Sequence, residues 1–206
     1  QSITVALSGD GGDELFGGYN RYLWGSKIWR KLDKFPFPLR FILGSVAQNS
    51  PAVALDFISK AYNTLAPKNY TITHLSSKLQ RLGARLTTVR DIDDLYRSLV
   101  TEWTPEMGLL KEPGKHSLTQ LDDFLPLCVT QDSDTWMMAQ DMRTYLPDDI
   151  LCKVDRAAMG VSLETRVPFL DKEVISLSMR IPTHMKIRGS TGKWILRQVL
   201  QKYVPH

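Results

Sequence analysis

The sequence has few cysteines and no long apolar run. Cys128 and Cys152 are the only cysteines among 206 residues, which is too few for a disulfide framework or a thiolate zinc site. The apolar runs, such as residues 41–43, are far shorter than a bilayer span. We therefore expect a reducing, cytoplasmic location and no membrane contact.

Neither composition nor charge points to an unusual class of protein. A hydrophobic content of 43% and a charged content of 23% exclude a wholly disordered, collagen-like or coiled-coil chain. The net charge of +4 is weak support for nucleic-acid binding, and we predict no nucleic-acid partner. Lys and Arg are absent from the first 20 residues, where Asp10, Asp13 and Glu14 lie within five positions.

The chain opens on a short apolar run. Residues 3–7, Ile-Thr-Val-Ala-Leu, are β-branched or apolar and precede glycines, a pattern that predicts a buried strand. No other segment carries a convincing strand signal. Because a single strand cannot satisfy its own backbone groups, we expect this strand to pair with another molecule or with strands outside this chain.

Most of the remaining chain has helical spacing. Helices are predicted at 28–35, 39–48, 53–62, 75–86, 91–103, 134–146, 149–163 and 191–203. Residues 15–24 fit a helix or an irregular loop, and residues 104–118 are the most loop-like stretch. Asp91 is the predicted N-cap of its helix, and Ser190 or Thr191 is the predicted cap of the last one.

An acidic, glycine-rich segment follows the predicted strand directly. We name it the acidic glycine loop: Ser8-Gly9-Asp10-Gly11-Gly12-Asp13-Glu14. Glycines at this place let backbone N–H groups approach a ligand, and ligands lie at the carboxyl ends of strands in open parallel sheets. The loop lacks the Gly-Lys-Ser/Thr of a Walker A loop, and Glu14 replaces the third glycine of the dinucleotide fingerprint.

The carboxylates in this loop restrict its chemistry. Beside a bound phosphate they would repel it unless a cation intervenes. They therefore suggest Mg²⁺ bridging phosphate and carboxylate, or a carboxylate acting as a base or charge stabiliser. The structural alternative is a tight turn with an Asp that caps the next helix.

A second charged block spans residues 145–171. Its predicted helix carries four charged residues, Asp149, Lys153, Asp155 and Arg156. An extended exit leads to Pro168, which disfavours helical conformation in the residue before it. Glu164 and Arg166 are close enough in sequence for an ion pair, and Asp171 is a candidate cap. The structural alternative is a helix whose charges are solvated or paired.

Both charged segments resemble one enzyme family. Residues 7–19, Leu-Ser-Gly-Asp-Gly-Gly-Asp-Glu-Leu-Phe-Gly-Gly-Tyr, resemble the Ser-Gly-Glu/Asp-Gly-x-Asp-Glu segment of glutamine-hydrolysing asparagine synthetases. Asp155-Arg156 followed by Glu-Thr-Arg-Val-Pro-Phe-Leu-Asp at 164–171 resembles the family's second signature, in the same order. The likeness is clear at 3–22, 145–171 and 189–205, whereas 26–140 fits only as a helical stretch.

The resemblance implies a fold and a domain assignment. The expected fold is mainly α, the C-terminal part of an α/β adenine-nucleotide α-hydrolase-like (ATP pyrophosphatase) domain. Residues 1–25 supply the strand and acidic glycine loop, and residues 26–206 the helical part. The family's Ser-Gly-Gly-x-Asp-Ser loop and glutaminase nucleophile do not occur in these residues, and its catalytic lysine would lie beyond His206. We therefore expect an internal fragment that is inactive alone.

The resemblance also implies an activity. Such enzymes activate the aspartate side chain with ATP as β-aspartyl-AMP, and ammonia released from glutamine by an N-terminal glutaminase domain displaces AMP. Ser8, Gly9 and Gly11 would then contact the adenylated intermediate or nucleotide, and Asp10 would assist ammonia attack. Asp13 and Glu14 would hold Mg²⁺-pyrophosphate or orient the loop. Asp155 and Arg156 would lie near the nucleotide or aspartyl site.

Several alternatives stay open beside this interpretation. A relative could amidate another carboxylate, such as a cell-surface sugar or peptide acid. Ring-closing ligases resemble the family with Tyr at the position of Asp10, so Asp10 argues against ring closure. A helical binding module is the non-catalytic alternative, and assembly as a homo-oligomer is also open.

Overall fold

A computed structural model of the chain describes residues 3–51, 75–101 and 132–204, with Phe57, Lys60 and Asn63 in addition. The chain divides into two compact units: unit 1 is Gln1–Lys27 with Pro105–His206, and unit 2 is Ile28–Thr104. The described residues are mainly helical and include a small parallel sheet, in agreement with the predicted fold class. The predicted loop at 104–118 and most of the predicted helix at 53–62 lie outside the described residues.

The sheet of unit 1 contains two strands. Strand β1, Val5–Leu7, pairs in parallel with β2, Glu164–Arg166, and Leu7 stands opposite Arg166. Backbone hydrogen bonds continue the ladder at both ends, from Glu164 N to Thr4 O at 2.9 Å and from Ser8 N to Arg166 O at 2.8 Å. The prediction of a single strand is therefore wrong. Strand β2 escaped notice because Glu-Thr-Arg lacks the apolar alternation typical of a strand.

The prediction that β1 is buried is also wrong. Val5 is 40% exposed and Leu7 is 76% exposed. An apolar, β-branched run favours a strand, but burial of its faces depends on which elements pack against the sheet. Within the described part of the chain, the face of β1 that carries Val5 and Leu7 is therefore only partly covered.

Two helices follow the acidic glycine loop. Helix α1 is Gly12–Phe16, and α2 is Asn20–Leu32. The break between them occurs at Gly17, which has φ 69°, a left-handed conformation that favours glycine. Residues 15–24 are thus the end of one helix and the start of another, and the predicted helix at 28–35 is the C-terminal part of α2.

Unit 2 contains three described helices, α3 Phe37–Asn49, α4 Leu75–Thr88 and α5 Ile92–Val100. Asp91 caps α5 as predicted, because its Oδ1 accepts a hydrogen bond from Asp94 N at 2.9 Å. Leu95 is buried on the inner face of this helix. Trp103, the last residue of the predicted helix at 91–103, lies outside the described residues.

The C-terminal part of unit 1 holds the remaining elements. They are α6 Ser133–Arg143, a π-helical segment Leu146–Leu151, α7 Cys152–Met159, a 3₁₀ turn Pro168–Leu170, α8 Lys172–Arg180, α9 Thr183–Lys186 and α10 Trp194–Leu200. The core of unit 1 forms where α1 and α2 contribute Leu15 and Tyr22 and α6 contributes Trp136 and Met137, all buried. Each described helix is too short or too polar to span a bilayer.

The caps of this region confirm one prediction and correct another. Asp171 caps α8, since its Oδ1 accepts from Glu173 N at 2.8 Å. The predicted cap of the last helix, Ser190 or Thr191, is wrong. The N-cap of α10 is Lys193, with φ 53° and no side-chain capping bond, so side-chain capping chemistry does not set the start of this helix.

Candidate functional site

The acidic glycine loop begins where β1 ends. The Ser8 hydroxyl donates a hydrogen bond to Oδ2 of Asp10, which fixes the half-buried Asp10 side chain against the end of the strand. Gly9 is exposed, and a Cβ atom placed on it would meet no described heavy atom within 4 Å. The backbone at Gly9 is therefore open to a ligand.

Gly11 starts α1 in a conformation that favours glycine. Its φ is 78°, and Leu15 N donates to Gly11 O at 3.0 Å. A Cβ atom at Gly11 would lie 2.6 Å from Leu170 Cδ2. Both the left-handed backbone and this close contact exclude a larger residue without local rearrangement.

The two predicted charged segments meet at this point. Strand β2 lies beside β1, and the 3₁₀ turn after it packs against the acidic glycine loop. The rings of Phe169 and Phe16 lie edge to face with centroids 5.8 Å apart. Segments more than 150 positions apart in the sequence are thus joined by one parallel strand pair and one aromatic contact.

Asp13 faces a polar pocket of about 380 Å³. The pocket is lined by Asp13, Gly18, Asn20, Leu23, Ser190, Thr191, Gly192, Lys193 and Arg197. Asp13 Oδ2 lies 2.8 Å from Lys193 Nζ, and the two side chains are 34% and 30% exposed. The carboxylate is therefore paired with a cation but remains within reach of a ligand.

Glu14 occupies a different environment from its neighbour. The residue is 1% exposed, and its Oε1 accepts a hydrogen bond from the Tyr19 hydroxyl at 2.7 Å. Its Oε2 has no hydrogen-bond partner among the described residues. Burial raises the pKa of Glu14, and the Tyr19 hydrogen bond opposes that shift only in part. Glu14 therefore packs beneath the loop, whereas Asp13 points into the pocket.

Arg21, Tyr22 and Asp141 form a polar cluster next to Tyr19, the hydrogen-bond donor to Glu14. Arg21 places its guanidinium carbon 4.2 Å from the centre of the Tyr19 ring and 4.8 Å from that of Tyr145. Its Nε lies 2.7 Å from Oδ2 of Asp141, which also accepts from the Tyr22 hydroxyl. Burial, followed by the Asp141 charge, raises the pKa of Tyr22. This cluster ties α2 to α6 behind the loop.

Asp155 and Arg156 are not brought to the loop by any described contact. Both lie on α7 with exposed side chains. No hydrogen bond or ion pair within the described part of the chain joins either of them to the acidic glycine loop. Lys153, on the same helix, does pair with Asp149 of the preceding π-helical segment, since its Nζ lies 2.8 Å from Asp149 Oδ2. The predicted ion pair between Glu164 and Arg166 is confirmed at 2.8 Å.

The sequence did not identify Lys193 or Tyr19 as part of the site. Lys193 lies in the stretch 189–205 that resembles the family, and Tyr19 ends the first motif, but neither residue was given a role. Both contacts depend on tertiary structure or on a turn at Gly17-Gly18.

The geometry of the site indicates a class of protein. A glycine-rich loop at the carboxyl end of a parallel strand, with the Asp13 carboxylate facing a polar pocket, is typical of the α/β domains that bind nucleotides. The family model named Asparagine synthase matches residues 1–206. The chain belongs to the asparagine synthase family, and hence to the ATP pyrophosphatase fold.

The relatives agree with this assignment. A Mycobacterium tuberculosis protein provisionally named asparagine synthetase (glutamine-hydrolyzing) is 33% identical over 210 residues, covering 98% of this chain and 28% of the relative. Asparagine synthetase (glutamine-hydrolyzing) 1 of Bacillus subtilis is 29% identical over 203 residues, covering 98% and 29%. The chain thus spans less than a third of the length of these relatives. No solved structure matches it.

Proposed function

We propose that this chain forms part of the synthetase domain of an ATP-dependent, glutamine-hydrolysing asparagine synthetase. An oxygen of the aspartate side-chain carboxylate attacks the α-phosphorus of ATP, and pyrophosphate leaves. Ammonia then attacks the acyl carbon of the resulting β-aspartyl-AMP, the bond from carbon to the phosphate oxygen breaks, and AMP leaves. The observation that carries the proposal is the acidic glycine loop, held by a parallel strand pair beside the second signature block.

The loop supplies groups for the intermediate and for the attacking amine. Ser8, Gly9 and Gly11 present a hydroxyl and backbone groups at the end of β1, and Gly9 is open on its outer side. Asp10 accepts the proton that ammonia loses as it forms the amide bond. A carboxylate fixed by the Ser8 hydroxyl is oriented for this general-base role.

Asp13 fits the metal that this chemistry uses, and Glu14 fits a supporting role. Mg²⁺ is commonly held by one or two carboxylates together with substrate phosphates, and Asp13 presents a partly exposed carboxylate to the pocket. No cluster of three or more metal-type side chains occurs among the described residues, so substrate phosphates, or water in their absence, would supply most ligands. When bound, Mg²⁺ neutralises phosphate charge. Glu14, buried against Tyr19, orients the loop.

The remaining parts of the proposal extend beyond the loop. Asp155 and Arg156 contact the nucleotide or the aspartyl group, and a glutaminase domain N-terminal to this chain supplies ammonia. The enzyme works in the cytoplasm, as expected for amino-acid biosynthesis. The chain alone does not turn over, because it covers only 28% of the length of its relative. Formation of asparagine or AMP by the chain incubated with ATP, aspartate and ammonia would contradict this last point.

The decisive experiment replaces Asp10 in the intact protein. We expect Asp10→Asn to lower asparagine formation by about 100-fold or more, the usual range for loss of a general base, with ammonia supplied directly to bypass glutamine hydrolysis. Asp33→Asn, at an exposed carboxylate outside the loop, is the matched control and should keep wild-type turnover. Unchanged turnover in Asp10→Asn would remove the chemical role of the loop and favour a helical binding module.

A further inference from the structure

Lys193 adopts a backbone conformation that its residue type disfavours. Its φ and ψ are 53° and 33°, and Ser162 is the other non-glycine residue with positive φ in the described part of the chain. Such conformations cost about 1–2 kcal/mol and persist where the surroundings enforce them, often at functional sites. A glycine would relieve the strain, so the lysine side chain itself needs an explanation.

Both ends of Lys193 are bound to α1 and the turn that ends it. Its backbone N donates to Phe16 O at 3.1 Å, and its Nζ lies 2.8 Å from Asp13 Oδ2. One residue therefore fixes the end of α1 through the main chain and the acidic face of α1 through the side chain.

The surrounding glycines make room for this arrangement. A Cβ atom at Gly192 would lie 2.3 Å from Gly17 O, and a Cβ atom at Gly18 would lie 1.8 Å from Asp13 Oδ1 and 2.4 Å from Lys193 Cε. Any side chain at Gly18 would therefore occupy the space of the Asp13–Lys193 pair. The absence of a side chain at Gly18 therefore leaves the space in which this ion pair forms.

The segment that carries Lys193, residues 188–193, is itself anchored. Arg188 N donates to Thr191 O at 2.9 Å, and Thr191 N donates back to Arg188 O at 3.0 Å. Lys27 Nζ donates to Gly189 O at 2.8 Å. The ammonium of Lys193 thus approaches Asp13 from a braced turn, which lowers the entropy cost of forming the pair.

We propose that Lys193 is a positioning residue for Asp13, whose carboxylate it neutralises and orients until a divalent cation displaces the ammonium. The inference rests on the proposed function in that Asp13 is assigned to the cation. A partly exposed ion pair contributes little net stability, so a cation can open it readily. Without Lys193, the Asp13 carboxylate would be a freer and more negative ligand.

The test measures Mn²⁺ binding to the intact protein without nucleotide. The electron paramagnetic resonance signal of free Mn²⁺ reports how much of the ion is unbound. We expect Lys193→Met to bind Mn²⁺ about three- to tenfold more tightly than wild type, since a competing charge is lost. Lys193→Gly should show the same gain, and it relaxes the backbone, so it guards against misfolding of the Met variant. Lys193→Arg should restore wild-type affinity. A merely structural lysine would not produce this order.

The outcomes separate the two proposals. If Asp13→Asn abolishes the Mn²⁺ site and both uncharged variants tighten it, the positioning role is supported. If Asp13→Asn abolishes the site but Lys193→Met and Lys193→Gly bind as wild type or more weakly, the positioning role is overturned and the assignment of Asp13 stands. If Asp13→Asn binds Mn²⁺ as wild type does, the metal assignment fails and the positioning role fails with it.

Discussion

The Tyr22 hydroxyl donates a hydrogen bond to Oδ2 of Asp141, a fully buried carboxylate 119 positions away in the sequence. The same oxygen accepts from Nε of Arg21 at 2.7 Å. A buried carboxylate is tolerated when it is hydrogen-bonded and paired. This arrangement holds α2 against α6 directly behind the acidic glycine loop, so its loss is expected to affect both stability and the site.

We expect Tyr22→Phe to lower the free energy of unfolding by about 1–3 kcal/mol, because the buried Asp141 carboxylate loses a hydrogen-bond donor. Urea denaturation followed by circular dichroism measures the effect. The matched control is Tyr203→Phe, since Tyr203 is exposed and its loss should change stability by less than about 0.5 kcal/mol. Equal effects of the two substitutions would show that the buried hydrogen bond contributes nothing.

Local patterns in the sequence predicted the parts of the fold that depend on neighbouring residues. The strand–loop boundary at Ser8 and the caps Asp91 and Asp171 follow from residue types within three or four positions. The order of the two motifs identified the segments that β1 and β2 bring together.

The rest depends on tertiary contacts that no short window contains. Strand β2 is polar and exposed, so only its partner Val5–Leu7 reveals it. The distinction between Asp13 and Glu14 arises from which side of α1 each carboxylate faces, and Lys193 reaches Asp13 from 180 positions away. Sequence reasoning gave both acids the same two alternative roles, holding Mg²⁺-pyrophosphate or orienting the loop, and could not show that Asp13 is partly exposed whereas Glu14 is buried.

Alanine should destabilise the protein at Gly11 but not at Gly9. Gly11→Ala should lower the free energy of unfolding by about 1–3 kcal/mol, because the left-handed backbone and the contact 2.6 Å from Leu170 Cδ2 both oppose a Cβ atom. Gly9→Ala should leave stability within about 0.5 kcal/mol of wild type, since its surroundings are open. If Gly9 approaches the intermediate, Gly9→Ala should still lower asparagine formation. Thermal unfolding measures the change in stability, and turnover of the intact protein measures asparagine formation. Similar destabilisation by the two alanine variants would contradict the open surroundings of Gly9 and the crowded surroundings of Gly11.

The cap of α5 offers an independent test in unit 2. Asp91→Ala should lower the free energy of unfolding by about 1 kcal/mol, because Asp94 N loses the acceptor that lies 2.9 Å away. Asp91→Asn keeps a side-chain oxygen acceptor and should stay near wild type. Chemical denaturation compares the three proteins. Equal losses for Ala and Asn would indicate that the charge at Asp91, and not its capping bond, stabilises the helix.

Lys186 should make stability depend on pH in the alkaline range. The residue is 6% exposed at the end of α9, and burial lowers its pKa from the ordinary 10.5. The unfolded lysine therefore holds its proton at pH values where the folded one has lost it, so the free energy of unfolding rises between the lowered pKa and 10.5. Below that window the full free-energy penalty of a buried ammonium remains.

Lys186→Met should accordingly be more stable than wild type at pH 7, and this difference in the free energy of unfolding should shrink as the pH approaches 10.5. Denaturant titrations at the two pH values measure it. Lys172→Met, at an exposed position, should differ from wild type by less than about 0.5 kcal/mol at either pH. A Lys186→Met variant that is less stable at pH 7 would show that the ammonium contributes favourably where it lies.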